Sequence, residues 1–218
     1  MGTAHRPPNV VYVALAVADT ALAAAGADRP RWLTKPLLMP ALMVDRDRPT
    51  QVALALSWGG DVALMWTTPA AFTAGLGCFL GGQVAWVAAL RTRGSGGGLR
   101  RKPVRGLPVV AGWAALNAYL WGRTGSDRIP VVVYSSVLAA MALAAVDTGD
   151  PLTAAGGGLF MASDSLIALE RFAGLRLPMH EGWVMATYTT AQALLAAQGT
   201  PRREPRQSAA GCAALRAG

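Results

Sequence analysis

Four ionisable side chains sit where an apolar chain should have none. Asp19, Lys35, Asp61 and Asp164 each interrupt a run of apolar residues. A charge at the centre of a bilayer costs about 2.5–3.5 kcal/mol on insertion scales, so such a residue marks a function or a partner. Asp61 lies in LALSWGGDVALMW, with Ser57 one helical turn before it on the same face. Gly59 and Gly60 leave room there for another helix or a ligand. Asp164 lies in GLFMASDSLIALERF, between Ser163 and Ser165. Two carboxyl groups on two helices facing one interior make an acid/base pair. Out of water a carboxyl group favours its neutral form, so one member holds a proton while the other stays ionised. Asp19 is shallower, and a hydrogen bond to a neighbouring helix is its simpler expected role. Lys35, just before Pro36, either snorkels to the interface or pairs with a carboxylate inside. Gln83, Asn117, Tyr134, Tyr188 and Gln192 also stand in apolar surroundings, where hydrogen bonds between helices account for each singly. Glu170 and Arg171, near a segment end, are expected at headgroup level.

Helices must hold these residues. The chain has 218 residues, 53% of them hydrophobic and 15% charged. The apolar residues gather into eight segments: Asn9–Ala27, Leu33–Val44, Gln51–Thr67, Pro69–Leu90, Gly106–Trp121, Ile129–Val146, Leu152–Phe172 and Gly182–Gln198. About 20 residues span the hydrocarbon core, so most of these read as transmembrane helices. The second is short and interrupted by Pro36 and Pro40, which predicts a kinked span extended by neighbouring residues or a re-entrant piece. The expected fold is all-α, a polytopic membrane bundle of about eight transmembrane helices. One domain covers 1–199, and a disordered basic cytoplasmic tail covers 200–218. Abundant Ala and Gly suit tight helix packing. Ser57 and Asp61 in the third segment, and Ser163 and Asp164 in the seventh, lie at similar depth. That faint echo fits a parallel four-plus-four repeat.

The net charge is +8, from 20 Lys+Arg against 12 Asp+Glu. Lysine appears only at Lys35 and Lys102, an Arg- and Ala-rich usage that fits a GC-rich bacterial genome. The N-terminus, the loops near 45–50, 91–105 and 147–151, and the tail together carry roughly two-thirds of the basic residues, which places both termini in the cytoplasm. The expected location is therefore the bacterial inner (plasma) membrane, crossed many times. No basic stripe is interleaved with aromatics, so nucleic acid is not an expected partner. The stretch Gly94–Gly98 follows no strand signal and lacks the Gly-Lys-Ser/Thr ending of a phosphate loop, so it reads as part of a topogenic loop. Asp19 argues against the first segment being a signal peptide. Trp32, Trp66, Trp121 and Trp183 fall at segment ends, as interfacial anchors do. Trp58, Trp86 and Trp113 fall mid-segment and are expected to pack in the bundle or line a cavity. Cys78 lies in an apolar run and Cys212 in the tail, which disfavours a disulfide. His5 and His180 lie near helix ends and no Cys or His cluster has ligand spacing, so no metal and no other cofactor is expected.

LTKPLLMP at 33–40, SWGGDVALM at 57–65, FTAGLGCFL at 72–80, GLFMASDSLIALERF at 158–172 and VMATYTTAQALL at 184–195 resemble the YhhN-like family of membrane proteins, which includes the animal lysoplasmalogenases. The match runs in order from about residue 10 to residue 199. The resemblance implies eight membrane helices and hydrolysis of the vinyl ether bond of lysoplasmalogen-like lysolipids, giving a fatty aldehyde and a glycerophospho-base. It carries an active-site role onto Lys35, Asp61 and Asp164, with Tyr188 and Gln192 as lining. One departure stands out. The family's fourth segment often reads Gly/Ala-His-x-x-Tyr, whereas this chain has Gly82-Gln83-Val84-Ala85-Trp86, so Gln83 removes any proton-transfer role of that His.

The implied chemistry suits the residues. A proton must reach the alkene carbon, an anion must face the oxocarbenium-like cation, and water must be directed at it. A protonated carboxylic acid and an ionised carboxylate fill those roles, much as in glycoside hydrolysis. One of Asp61 and Asp164 is the expected acid and the other the base, with Lys35 holding its partner ionised or binding a substrate oxygen. Ser57, Trp58, Gln83, Asn117, Tyr134, Phe160, Ser163, Tyr188 and Gln192 are the expected substrate contacts, and the partners are membrane lipids and a lysophospholipid. The competing reading is a proton-coupled carrier of a small molecule or lipid using the same carboxylates. A carrier needs a path to both membrane faces, whereas an enzyme needs a pocket open to one.

Overall fold

The computed structural model describes residues 6–92 and 97–197. The tail with Cys212, His5 and the first residues of the glycine-rich stretch lie outside the described residues. Among the described residues all regular structure is helical: α1 Val10–Ala24, α2 Asp28–Met43, α3 Arg48–Ala63, α4 Pro69–Thr92, the single turn α5 Gly98–Arg101, α6 Leu107–Leu120, α7 Arg128–Asp147, α8 Pro151–Ala173 and α9 His180–Ala197. Short 3-10 turns at Pro103–Gly106 and Gly125–Asp127 lead into α6 and α7. α3 lies along α4, and α8 along α9; α2 flanks α3, α7 flanks α8, and α1 closes against α2 and α9.

The two helices that carry Asp61 and Asp164 are built alike. Asp47 caps α3 and Asp150 caps α8, each accepting the backbone N–H of a threonine, Thr50 or Thr153. Such a cap satisfies one of the amides that a helix start leaves without a partner. A proline enters the first turn of each, where a missing N–H costs nothing. Asp61 and Asp164 stand equally far along from these caps, so both reach the same depth.

Core and surface are both apolar. Leu38, Met39, Leu42, Leu54, Trp86, Leu90, Met141, Phe160 and Leu195 are fully buried. Val10, Leu33, Ile129 and Val104 face outward. An outer surface of that kind belongs to a protein whose solvent is lipid. Three helical stretches, Pro69–Thr92, Gly125–Asp147 and Pro151–Ala173, are long and apolar enough to cross a bilayer. Close helix approach depends on missing side chains at two places. A Cβ on Gly60 would sit 2.6 Å from the Phe79 ring, and one on Gly157 would sit 2.9 Å from Ala145.

The second helix is longer than its apolar segment, as a short span extended by its neighbours would be. It begins at Asp28, before the apolar segment, and runs on through Pro36 and Pro40 as one helix of 16 residues. Pro40 has no N–H, so the carbonyl of Pro36 loses its helical partner. The Trp58 indole N–H fills that vacancy, donating to the Pro36 carbonyl at 2.8 Å. Trp58 therefore lies on the outside of the bundle, 40% exposed, and not in its interior as its mid-segment position predicts.

Arg46 is a second difference. Its place in a basic loop predicts a solvated charge, yet it is buried. Its guanidinium donates to the carbonyls of Leu42, Arg6, Ala196 and Pro7, tying together the ends of α2 and α9 and the segment before α1. Arg46→Met would leave these carbonyls without a donor, at about 1.5–3 kcal/mol for hydrogen bonds from a charged group. Thermal unfolding in detergent is expected to show a clear fall in Tm; a Tm equal to wild type would remove this role.

Candidate active site

Lys35 from α2, Asp61 from α3, Tyr134 from α7, Ser163 and Asp164 from α8 and Tyr188 from α9 line one cavity of about 870 Å³. Its remaining wall is largely apolar. Leu64, Phe72, Leu76, Phe79, Leu116, Val131, Leu138, Ile167, Val184 and Met185 supply most of it. All the lining residues come from the half of the bundle nearer the α1/α2, α3/α4, α6/α7 and α8/α9 connections. Trp66, Thr67, Thr68, Asp127 and Arg171 form an exposed rim at that end.

Each carboxyl group is held by a tyrosine. The Tyr188 hydroxyl donates to Asp61 Oδ2 at 2.7 Å, and the Tyr134 hydroxyl donates to Asp164 Oδ2 at 2.7 Å. A glutamine stands behind each tyrosine. Gln192 Nε2 donates to the Tyr188 hydroxyl at 3.2 Å, and Gln83 faces the Tyr134 hydroxyl. The result is two Asp–Tyr–Gln chains ending in one cavity. Such chains restrict the carboxylate orientations, because one oxygen of each carboxyl group is already held by a tyrosine hydroxyl. Phe79 and Phe160 pack edge-on to Tyr188 at 6.0 and 5.5 Å between ring centroids, so that ring has little freedom.

The two chains differ in charge. Lys35 Nζ lies 3.8 Å from Asp61 Oδ1, and both side chains are largely buried. Asp164 has no cationic partner among the described residues. A lysine beside a desolvated carboxylate stabilises the anion by direct Coulomb attraction, which is stronger away from bulk water. The geometry thus provides one lysine-paired and one counter-ion-free carboxyl group facing the same space.

Other residues singled out by the sequence stand behind the wall or away from it. Ser57 is buried and its hydroxyl donates to the Ala53 carbonyl. Gln83, Phe160 and Gln192 are buried behind the tyrosines. Asn117 Nδ2 donates to Ser135 Oγ at 3.0 Å, and Ser135, not Asn117, reaches the cavity. Ser163 lines the cavity while its hydroxyl donates to the Val184 carbonyl. Trp58 faces outward, as described above. Asp19 is buried off the cavity, where Oδ1 accepts from the Thr34 hydroxyl at 2.6 Å and lies 3.6 Å from Arg31 Nε.

Several lining residues escaped the sequence reading, although their spacing signals them. Ile167, Ala168 and Arg171 follow Asp164 at the third, fourth and seventh positions, so they share its helix face. Phe72, Leu76 and Phe79 repeat the same pattern on α4. An ionisable residue at a known depth, extended along its helix by that period, would have found them.

Lysoplasmalogenases of Mycobacterium bovis and Mycobacterium tuberculosis are each 36% identical to this chain over 131 residues, covering 55% of the chain and 48% of the relative. The chain thus spans about half the length of these curated relatives. No solved structure matches it. The model of the YhhN family matches residues 30–199, the region that contains most of α2, all of α3 to α9 and every residue lining the carboxylate cavity, and the chain belongs to that family.

Proposed function

We propose that this protein is an integral membrane hydrolase that cleaves the vinyl ether bond of lysoplasmalogen-like lysolipids, releasing a fatty aldehyde and a glycerophospho-base. The observation that carries this reading is the pair of tyrosine-held carboxyl groups, only one with a lysine, in an apolar cavity. The name of the two mycobacterial relatives supports the same chemistry.

Asp164, lacking a counter-ion, is the assigned proton donor; Asp61, beside Lys35, is the assigned anion. Asp164 delivers its proton to the alkene carbon distal to the ether oxygen. The positive charge then spreads over the adjacent carbon and the oxygen, facing Asp61. Water adds to that carbon as Asp61 takes one of its protons. The hemiacetal collapses when Asp164, now a carboxylate, removes the hydroxyl proton and Asp61 returns its proton to the departing glycerol oxygen. Both carboxyl groups end in their starting states. A positioned acid or base contributes typically 10²–10⁴-fold to a rate. The tyrosines hold the reacting oxygens in place, and the apolar wall takes the hydrocarbon chain and excludes stray water.

A cavity lined from one half of the bundle supports an enzyme over a carrier, because a carrier also needs a path to the opposite face. Eight membrane-spanning helices with both termini cytoplasmic complete the proposal. In that orientation the rim faces away from the cytoplasm, opposite the Arg-rich loop at 91–105. Thr67→Cys in a background lacking Cys78 and Cys212 should react with a membrane-impermeant maleimide applied to spheroplasts. Labelling only after lysis would reverse the orientation.

The activity itself is tested with purified protein in detergent. Aldehyde release from a lysoplasmalogen, absent with the ester-linked lysolipid, is the expected outcome. Release from neither lipid would sink the hydrolase and favour a carrier.

A further inference from the structure

The cavity carries two charged groups that the proposed chemistry does not use. Arg171 and Asp127 stand on the exposed rim, apart from Lys35, Asp61 and Asp164 within. The Arg171 guanidinium lies 4.0 Å from the centroid of the Phe72 ring and 5.7 Å from that of Phe172. Both rings line the cavity, so the cation is held at its mouth by stacking. Among the described residues Arg171 makes no ion pair. The carboxylate next to it in sequence, Glu170, is engaged elsewhere, 3.1 Å from Arg176 and 3.2 Å from His180. Asp127 is likewise in no ion pair among the described residues, since its neighbour Arg128 is turned over Trp121 at 4.7 Å. Opposite charges thus share one rim without neutralising each other.

Position adds to charge. Thr68, Pro69 and Phe72 bring the start of α4, a helix of 24 residues, to the same rim. The positive end of that helix favours an anion beside Arg171. Asp164 and Arg171 are seven residues apart on α8, two turns on one face, so their Cα atoms are about 10 Å apart along the axis. That separation is on the scale that the three carbons of a glycerol and an arginine side chain span together. In a lysophospholipid the same glycerol separates the ether oxygen from the phosphate.

We propose that the rim is a headgroup subsite: Arg171, beside the start of α4, binds the phosphate of a zwitterionic lysophospholipid, and Asp127 faces its cationic base. This rests on the reading that the cavity holds a lysolipid. It adds where the headgroup lies and why a phosphorylated substrate is preferred over the bare ether glycerol.

The test uses binding, so that it does not depend on turnover. The full-length protein in detergent is titrated with two uncleavable saturated ethers of equal chain length, 1-O-hexadecyl-glycero-3-phosphoethanolamine and 1-O-hexadecylglycerol. Wild type should bind the phospholipid about tenfold more tightly, the scale of a charge-assisted contact at an exposed site. Arg171→Gln should equalise the two affinities while leaving that for hexadecylglycerol unchanged, and Arg171→Lys should keep part of the preference. Asp127→Asn should lose discrimination between the ethanolamine lipid and its lysophosphatidic acid counterpart. Glycerophosphoethanolamine should compete better than inorganic phosphate. No phosphate preference in wild type, a preference that survives in Arg171→Gln, or equal weakening toward both lipids would each overturn the subsite. Competition by inorganic phosphate as strong as by glycerophosphoethanolamine would assign the rim to a free anion and also overturn it. Vinyl ether cleavage is scored separately. Phosphate-selective binding without cleavage refutes the hydrolase alone, and cleavage without phosphate preference refutes the subsite alone.

Discussion

Asp164→Asn is expected to abolish aldehyde release, lowering kcat about 10³-fold while the protein still folds, because the amide is a near isostere that has no acidic proton to give. The Tyr134 hydroxyl still finds an acceptor in the amide oxygen, so its hydrogen bond survives. Binding of an uncleavable ether lipid should change little, since the loss falls on the transition state. Asp61→Asn should cost a similar factor by removing the anion that faces the cation and takes the proton from water. The double variant should be hardly slower than either single one, as expected for groups acting as a unit. Full activity in Asp164→Asn would eliminate it as the acid. Full activity in both would remove the two-carboxylate mechanism altogether.

Lys35→Met should combine a stability loss with an activity loss. Its ammonium lies 3.8 Å from Asp61, and the Asp61 side chain is 4% exposed. Breaking a buried ion pair by deleting one partner typically costs 3–5 kcal/mol. Lys35 keeps some contact with solvent, so about 2 kcal/mol is the expectation for this pair. Asp61 escapes the penalty of an unpaired buried charge by taking up a proton, and it is then no longer a base. A fall in kcat of roughly 10²-fold is therefore expected. The double variant Lys35→Met, Asp61→Asn leaves no buried charge at this position. It should regain thermal stability over Lys35→Met while staying inactive. If Lys35→Met keeps wild-type kcat and Tm, the lysine neither supports the anion nor holds the helices together.

Part of the site is legible in single residues of the sequence. A lysine or aspartate inside an apolar run announces itself, because an ion in hydrocarbon is costly and few reasons retain it. Lys35, Asp61 and Asp164 were visible in that way, and all three meet in one cavity. Their neighbours were less legible. Tryptophan reads as interior wherever it falls mid-segment, yet Trp58 points outward, because a proline on another helix left a carbonyl without a donor. Arg46 read as a loop charge, although it closes four backbone carbonyls. In both cases the partner is a backbone group brought near by packing, which side-chain patterns do not encode.

A helical chain with an apolar exterior is legible from the residues alone, as are Lys35, Asp61 and Asp164 among the charges held inside. Helix propensity, segment length and the cost of burying an ion are local properties. Helix packing sets which tyrosine serves which carboxyl group: Tyr188 and Asp61 are 127 residues apart, and nothing in either segment marks the other. It also decides that Lys35 pairs with Asp61 and that Asp164 stands without a cation. That asymmetry arises from the placement of α2 against α3, where two side chains of opposite charge lower each other's desolvation cost. The proposed distinction between acid and base therefore rests on the packing of helices and on no single stretch of the chain.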